Sequence, residues 1–244
     1  MIRLVTFDFW DTLVTDTAEN LAAQRRLRVE GLVAALGAAG IVVSPEAAAA
    51  GHDGAEALLV ERYWGRHRDP SAREQVRLVV DCIAPGAAAR LSEAAFERVV
   101  QAYISPVLAR PPALQSGARD AVQGLAARGV RLAIISNTGR TPGIVLREVL
   151  RAHGLLGQFA VVSYSDEVGY RKPDGEIFRR TLAAAGARAA QAAHVGDNPA
   201  ADVAGARGVG MRGVHFRAPG RAPAPEADLT VTDLAELPRR LLGG

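Results

Sequence analysis

A chain of 244 residues with 49% apolar side chains can bury a large core, while a net charge of +3 is too small to mark a nucleic-acid-binding protein. Residues 15–110 hold 11 Arg against 12 Asp and Glu, and the rest 18 basic against 14 acidic residues, with no dense basic run interleaved with aromatics. The apolar runs are too short to cross a bilayer, MIRLVTFDFW lacks the cationic start of a signal peptide, and Cys82 is alone.

No membrane or nucleic-acid partner is therefore expected, and a reducing cytoplasm suits a chain that cannot form an internal disulfide. Cys82 itself reads as a small buried apolar residue.

In chain order, residues 2–9 (IRLVTFDF) form a β-rich run that ends in the acid and hydroxyl groups of Asp8, Asp11 and Thr12. From 15 to 110 the pattern is helical, with breaks at GAAGIVVSPE, HRDPS and APGAA. ARPPALQSG reads as a linker, after which short apolar runs alternate with punctuated helices.

The runs are 130–136, 159–165, 192–197 and 211–216. Ser116 can cap a helix that ends at Gly129, and Thr141-Pro142 can open one that ends at Gly154. Asp174 can cap a third, and Asn198-Pro199 can open a fourth that ends near Gly208. RAPGRAPAPEA (217–227) reads as a surface loop before a last short strand and helix.

Strands alternating with helices predict an α/β fold, a Rossmann-like parallel sheet with helices on both faces. The expected core is 1–14 and 111–244, with a helical cap domain, 15–110, inserted after the first strand. Ligands of open parallel sheets bind beyond the carboxyl ends of the strands. Asp8, Ser136-Asn137, Ser163/Ser165-Asp166 and Gly196-Asp197 stand at those ends.

Of the 29 basic residues, 28 are Arg, and Lys172 is the one Lys. In so Arg-rich a chain, a lone Lys suggests a site that needs a compact ammonium rather than a planar fork.

FDFWDTL, ISNTG, RKPDGEIF and HVGDNPAAD, in that order and with an insert after the first, resemble the haloacid dehalogenase superfamily in its subgroup with a helical cap after the first strand. Such a site asks a carboxylate to attack a phosphoryl group, which requires that mutual anionic repulsion be cancelled by a metal and a cation.

The resemblance implies Asp8 as nucleophile and a Mg²⁺ ion held by Asp8, the Trp10 carbonyl and Asp197, with Asp202 as a further ligand or an orienting group. Ser136 and the Asn137 backbone N–H would bind phosphate, and Lys172 would neutralise the transferring group. His194 is expected to pack rather than react, and His52 and His67 to face solvent on the cap, with a substrate contact as the alternative.

One departure stands out. Phosphatases of the superfamily usually carry a second Asp two residues after the nucleophile, as general acid and base. Here that position is Trp10, and Asp11 follows where Gly is common. The expected activity is a Mg²⁺-dependent phosphatase acting on a small phosphorylated metabolite, with altered acid–base machinery.

Alternatives are a 2-haloacid dehalogenase, whose aromatic residue at this position fits, and a non-catalytic metabolite-binding relative. Dehalogenases resemble S-S-N rather than G-D in the fourth motif. A phosphonoacetaldehyde hydrolase would need a cap lysine, which this chain lacks.

Overall fold

The structure, a computed structural model, describes residues 1–218, 220 and 222–243. Pro219 and Arg221 of the expected surface loop, and Gly244 at the end of the expected core, lie outside the described residues.

The first strand, β1 (Leu4–Phe7), is wholly buried. Side chains alternate across its sheet, so Val5 and Phe7 join one apolar cluster and Leu4 the opposite one. The next residues turn back into β2 (Val14–Thr15), which pairs antiparallel with β3 (Ala113–Leu114) through Val14 opposite Leu114.

Between these two short strands run α1 (Ala18–Ala38), α2 (Pro45–Arg62), α3 (Ala72–Ile83), α4 (Ala87–Arg90), α5 (Glu93–Ile104) and α6 (Pro106–Ala109). The helices break at the three places the sequence punctuates. Ser44, Ser71 and Ser92 cap α2, α3 and α5, and the Ser71–Glu74 pair forms a full capping box.

The chain then alternates α7 (Ala118–Ala126), β4 (Arg131–Ser136), α8 (Gly143–Ala152), β5 (Val161–Tyr164), α9 (Ser165–Val168), α10 (Gly175–Ala184) and β6 (Ala192–Gly196). A π-helical turn (Pro199–Ala204) leads into α11 (Gly205–Gly208), followed by β7 (Arg212–Phe216), β8 (Leu229–Val231) and α12 (Leu237–Leu242). Six strands form one sheet in the order β5-β4-β1-β6-β7-β8, each neighbouring pair parallel.

Helices cover both faces. Val122 and Leu125 of α7, Leu146 and Val149 of α8 and Leu237 of α12 pack with Val5, Ile134 and Val195. Ile177 and Phe178 of α10 pack with Leu4, Ala133 and Ile135 on the other face.

Two helix starts differ from the sequence reading. The N-cap of α7 is Gly117, at φ 73°, and Ser116 does not cap it. Neither Thr141 nor Pro142 supplies a side-chain cap to α8. The carboxylate of Asp166 does so instead, accepting the Gly143 N–H at 3.1 Å. A cap donated from beyond the next strand leaves no local trace in the sequence.

Asp174 and Asn198 cap as their positions predict. Cys82 is half-buried against the core.

Candidate active site

Because β5, β4, β1 and β6 are parallel neighbours, their carboxyl ends fall along one edge. Asp8 stands just past β1, Ser136 ends β4, Ser165 follows β5 and Asp197 follows β6. The Asp8 N–H still reaches Val195 O at 2.8 Å, so the sheet ladder fixes its backbone.

Lys172 approaches from the loop before α10 and is 3% exposed. Its Nζ donates to Asp8 Oδ1 at 2.8 Å and to Asp202 Oδ1 at 2.5 Å. The Asn137 side chain holds the backbone of the same residue: Oδ1 accepts the Lys172 N–H at 2.7 Å, and Nδ2 donates to Lys172 O at 3.0 Å. The lone lysine is thus locked at both ends.

Asp202 is fully buried, and both its oxygens are occupied. Oδ1 accepts from Lys172 and from His194 Nε2 at 3.1 Å, and Oδ2 accepts the Asn198 N–H at 2.9 Å. Its entry into the site depends on Gly196. A Cβ there would lie 2.1 Å from Asp202 Cγ, so any other residue would displace the carboxylate. His194, buried on β6, also contacts Thr6 Oγ1 at 2.7 Å, extending a polar chain from the sheet interior to Lys172.

Oxygens of Asp8, Asp197 and Asp202 lie within 4.8 Å of one another, close enough to share a cation. Burial drives the electrostatics. It pushes Asp8 above the usual carboxylate range, with Lys172 opposing it and Asp202 adding to it. Burial likewise raises Asp202, but Lys172 and His194 outweigh this and hold it well below that range. Lys172 is lowered by burial, yet Asp202 and Asp8 raise it more, so it stays an ammonium.

Asp197 is pushed up to about 7 by burial and by the charges of Asp8, Asp202 and Asp11. Among the described residues no side-chain or backbone donor reaches its carboxylate. Three carboxylates with a single ammonium leave an excess of negative charge that a divalent cation would cancel, so the donor set fits a metal.

Ser136 is buried beside Asp8, whose carboxylate its hydroxyl stabilises, and also contacts Asn137 O at 3.4 Å. Trp10 is half-buried, edge-on to Phe9 with ring centroids 5.0 Å apart. Asp11 is exposed at φ 55°, the left-handed region that explains a glycine preference there and that Asp tolerates. Its side chain makes no hydrogen bond to Asp8 among the described residues.

The sequence reading missed Asp69. This residue lies in the helical insert, its side chain 0% exposed, yet its partners belong mostly to the strand ends. Its Oδ2 accepts from Arg171 Nη1 at 2.7 Å, Ser165 Oγ at 2.5 Å and Thr138 Oγ1 at 3.1 Å, while Oδ1 accepts from Trp64 Nε1 at 2.8 Å.

Around it, Arg68 pairs with Asp174 at 2.6 Å, and the Arg171 N–H reaches His67 O at 3.0 Å. In sequence, HRDPS shows only a break between helices; the partners at the strand ends lie 69 to 102 residues away.

Breaking a buried, hydrogen-bonded charge pair costs about 3–5 kcal/mol. Asp69→Ala is therefore expected to lower stability by about 3 kcal/mol in urea unfolding, and to reduce kcat because Arg171 adjoins Lys172. Unchanged unfolding midpoint and kcat would show that this contact is incidental.

Residues 2–210 match the family described as haloacid dehalogenase-like hydrolase. A phosphoserine phosphatase of Thermus thermophilus is 35% identical, covering 97% of this chain and 98% of its own. The structure resembles a 2-haloacid dehalogenase from Pseudomonas syringae pv. Tomato, with a TM-score of 0.73 and 26% identity over 99% of both chains. It also resembles a HAD phosphatase from Thermococcus onnurineus, with a TM-score of 0.66 and 24% identity over 100% and 99% of the two chains.

No helix among the described residues is long and apolar enough to cross a membrane. With strand ends built around Asp8 and a family match along most of its length, the protein is an enzyme of the haloacid dehalogenase-like hydrolase family.

Proposed function

We propose that the protein is a Mg²⁺-dependent phosphatase of small phosphorylated metabolites, working through an aspartyl-phosphate on Asp8. The observation that carries this reading is the buried Asp8–Lys172–Asp202 chain beside a half-buried Asp197. Relatives named as phosphatases for phosphoserine, ribulose 1,5-bisphosphate and phosphoglycolate support the reaction class.

Asp8 would attack phosphorus as the ester P–O bond breaks and the alkoxide leaves; water would then release phosphate from Asp8. Lys172 stabilises charge on the transferring group, and Ser136 with the Asn137 N–H orients the phosphoryl oxygens. Asp202, with both oxygens committed to protein donors, positions Lys172 and the Asn198 loop.

A bound Mg²⁺, held by Asp8, Asp197 and the Trp10 carbonyl, would supply Lewis-acid polarisation and charge neutralisation. Trp10 cannot exchange a proton, so the acid–base role of a second Asp is unfilled. The insert, 15–110, would act as a cap that reads the substrate beyond its phosphate, over a core of 1–14 and 111–244.

The test is a panel of phosphorylated metabolites with and without Mg²⁺, together with mass spectrometry for phosphate on Asp8. Metal-dependent turnover and a modified Asp8 are expected; metal-independent turnover would overturn the reading. The second reading, a 2-haloacid dehalogenase, is favoured by Trp10 and by the resemblance to the Pseudomonas syringae structure. It requires chloride release from 2-chloropropionate without metal, which the acidic site argues against.

Metal affinity should depend on pH in a stated direction. Below pH 7 Asp197 holds a proton that the cation must displace, so Mg²⁺ affinity should fall about tenfold per unit below 7 and level off above it. Asp197→Asn should weaken binding by at least about tenfold, because a neutral amide replaces an anionic ligand. Calorimetry from pH 5.5 to 8 reads both effects; a flat profile, or unchanged affinity in the variant, would remove Asp197 from the metal site.

A further inference from the structure

A cavity of about 460 Å³ opens between α1, α2 and the loop after β4, with Trp10, Leu21, Arg28, His52 and Arg140 in its wall. Its core side belongs to the two loops that carry Asp8 and Ser136. Trp10 lies two residues after Asp8, and Gly139–Thr141 continue the Ser136-Asn137 turn. A substrate with its phosphoryl group at Asp8 would extend the rest of itself into this space.

The wall holds three guanidinium groups, Arg25, Arg28 and Arg140, against two carboxylates, Asp53 and Glu56. Arg28, 5% exposed, spends its Nε on Tyr103 O at 2.8 Å and lies 5.2 Å from the Tyr103 ring centre. No carboxylate pairs with it among the described residues.

Arg140 meets Glu56 at 3.3 Å on its solvent side, but its Nη1 is buried without a hydrogen-bond partner. His52, 2% exposed, contacts Asp53 through Nδ1 at 2.9 Å, and its Nε2 is likewise buried and unpartnered. Asp53 is committed to Arg25 at 2.5 Å.

Two guanidinium groups thus converge on one cavity near enough to repel. Burial and Arg140 both draw the Arg28 pKa down; burial, then Arg140, push His52 down to about 4. A buried cation without a paired carboxylate, as Arg28 is, is costly, and a planar guanidinium gains most from an anion that accepts two of its N–H groups.

We propose that this cavity binds a second anionic group of the substrate, a carboxylate or a second phosphate, between Arg28 and Arg140. Preferred substrates are then small phosphate monoesters that carry another anion. This inference rests on the phosphatase reading for its catalytic readout, but not for its binding readout. Trp10 and Leu21 supply an apolar wall for the carbon chain between the two anions.

The test compares matched pairs on the full-length protein with Mg²⁺: phosphoglycolate against ethyl phosphate, and propane-1,3-diyl bisphosphate against propyl phosphate. Wild-type kcat/KM should favour the second anion by at least about tenfold in one pair, and the pair shows whether carboxylate or phosphate is accepted. Arg28→Gln and Arg140→Gln should each bring that ratio towards one; Arg140, in a loop, keeps the test open should Arg28→Gln fail to fold.

Calorimetry of the same ligands on Asp8→Asn reads the preference without turnover. If no ester is hydrolysed, the phosphatase reading fails and the calorimetric ratio alone decides the anion site. Ratios near one in both pairs, or ratios that survive both substitutions, would overturn it.

Discussion

Lys172→Arg is expected to lower phosphate-ester turnover by at least about 10³-fold, although the charge is kept. The ammonium sits 3% exposed between Asp8 Oδ1 at 2.8 Å and Asp202 Oδ1 at 2.5 Å, in a space sized for one nitrogen. A guanidinium brings three nitrogens in a plane, so it must either expel a carboxylate or leave N–H groups without acceptors.

Lys172→Met should do comparable damage to turnover and also cost about 3–5 kcal/mol, since it leaves buried carboxylates without their cation. Steady-state rates on an aryl phosphate and urea unfolding of both variants separate the two effects. An arginine variant as fast as wild type would make the single lysine an accident of composition.

Trp10→Asp is expected to raise turnover of alkyl phosphates by at least about tenfold, a conservative share of the 10²–10⁴-fold that general acid–base assistance brings. Alkoxide leaving groups need a proton, and the indole at position 10 cannot deliver one. Wild type should therefore favour aryl and acyl phosphates and accumulate phosphate on Asp8.

The nearest alternative donor by sequence is Asp11, which is exposed and held at φ 55°. Rates of wild type and Trp10→Asp on ethyl and p-nitrophenyl phosphate decide the matter. Fast ethyl phosphate turnover in wild type, lost in Asp11→Asn, would show that Asp11 carries the proton.

Much of this architecture was legible because it is local. Val5 and Phe7 against Leu4 alternate as a strand must, and the polar residues that end such runs mark the sheet edge whatever the rest of the chain does. The lone lysine was visible from composition, and its contact with Asp8 and Asp202 shows why composition mattered there.

Other features depend on partners far away in the chain. Asp166 looks like a strand-end acid but caps α8, and Asp69 looks like a turn residue but receives hydrogen bonds from Thr138, Ser165 and Arg171. Neither role has a periodicity or a spacing. Asp202 shows the intermediate case: its position in a helix opened by Asn198 was readable, whereas its burial depends on a glycine six residues earlier.

Two strands joining a helical insert to a sheet define an axis, and a body held only there is free to rotate about it. Here a third attachment exists, where His67, Arg68 and Asp69 meet Tyr170, Arg171 and Asp174. A point off the axis opposes that rotation, so a rigid-body swing of the insert would have to break the Asp69–Arg171 pair. Any wider opening must bend within the insert, at the segments between α1, α2 and α3, or first break a buried ion pair one residue from Lys172. If the insert acts as the proposed cap, a change at this contact would be felt both in ligand access and at the ammonium of Lys172.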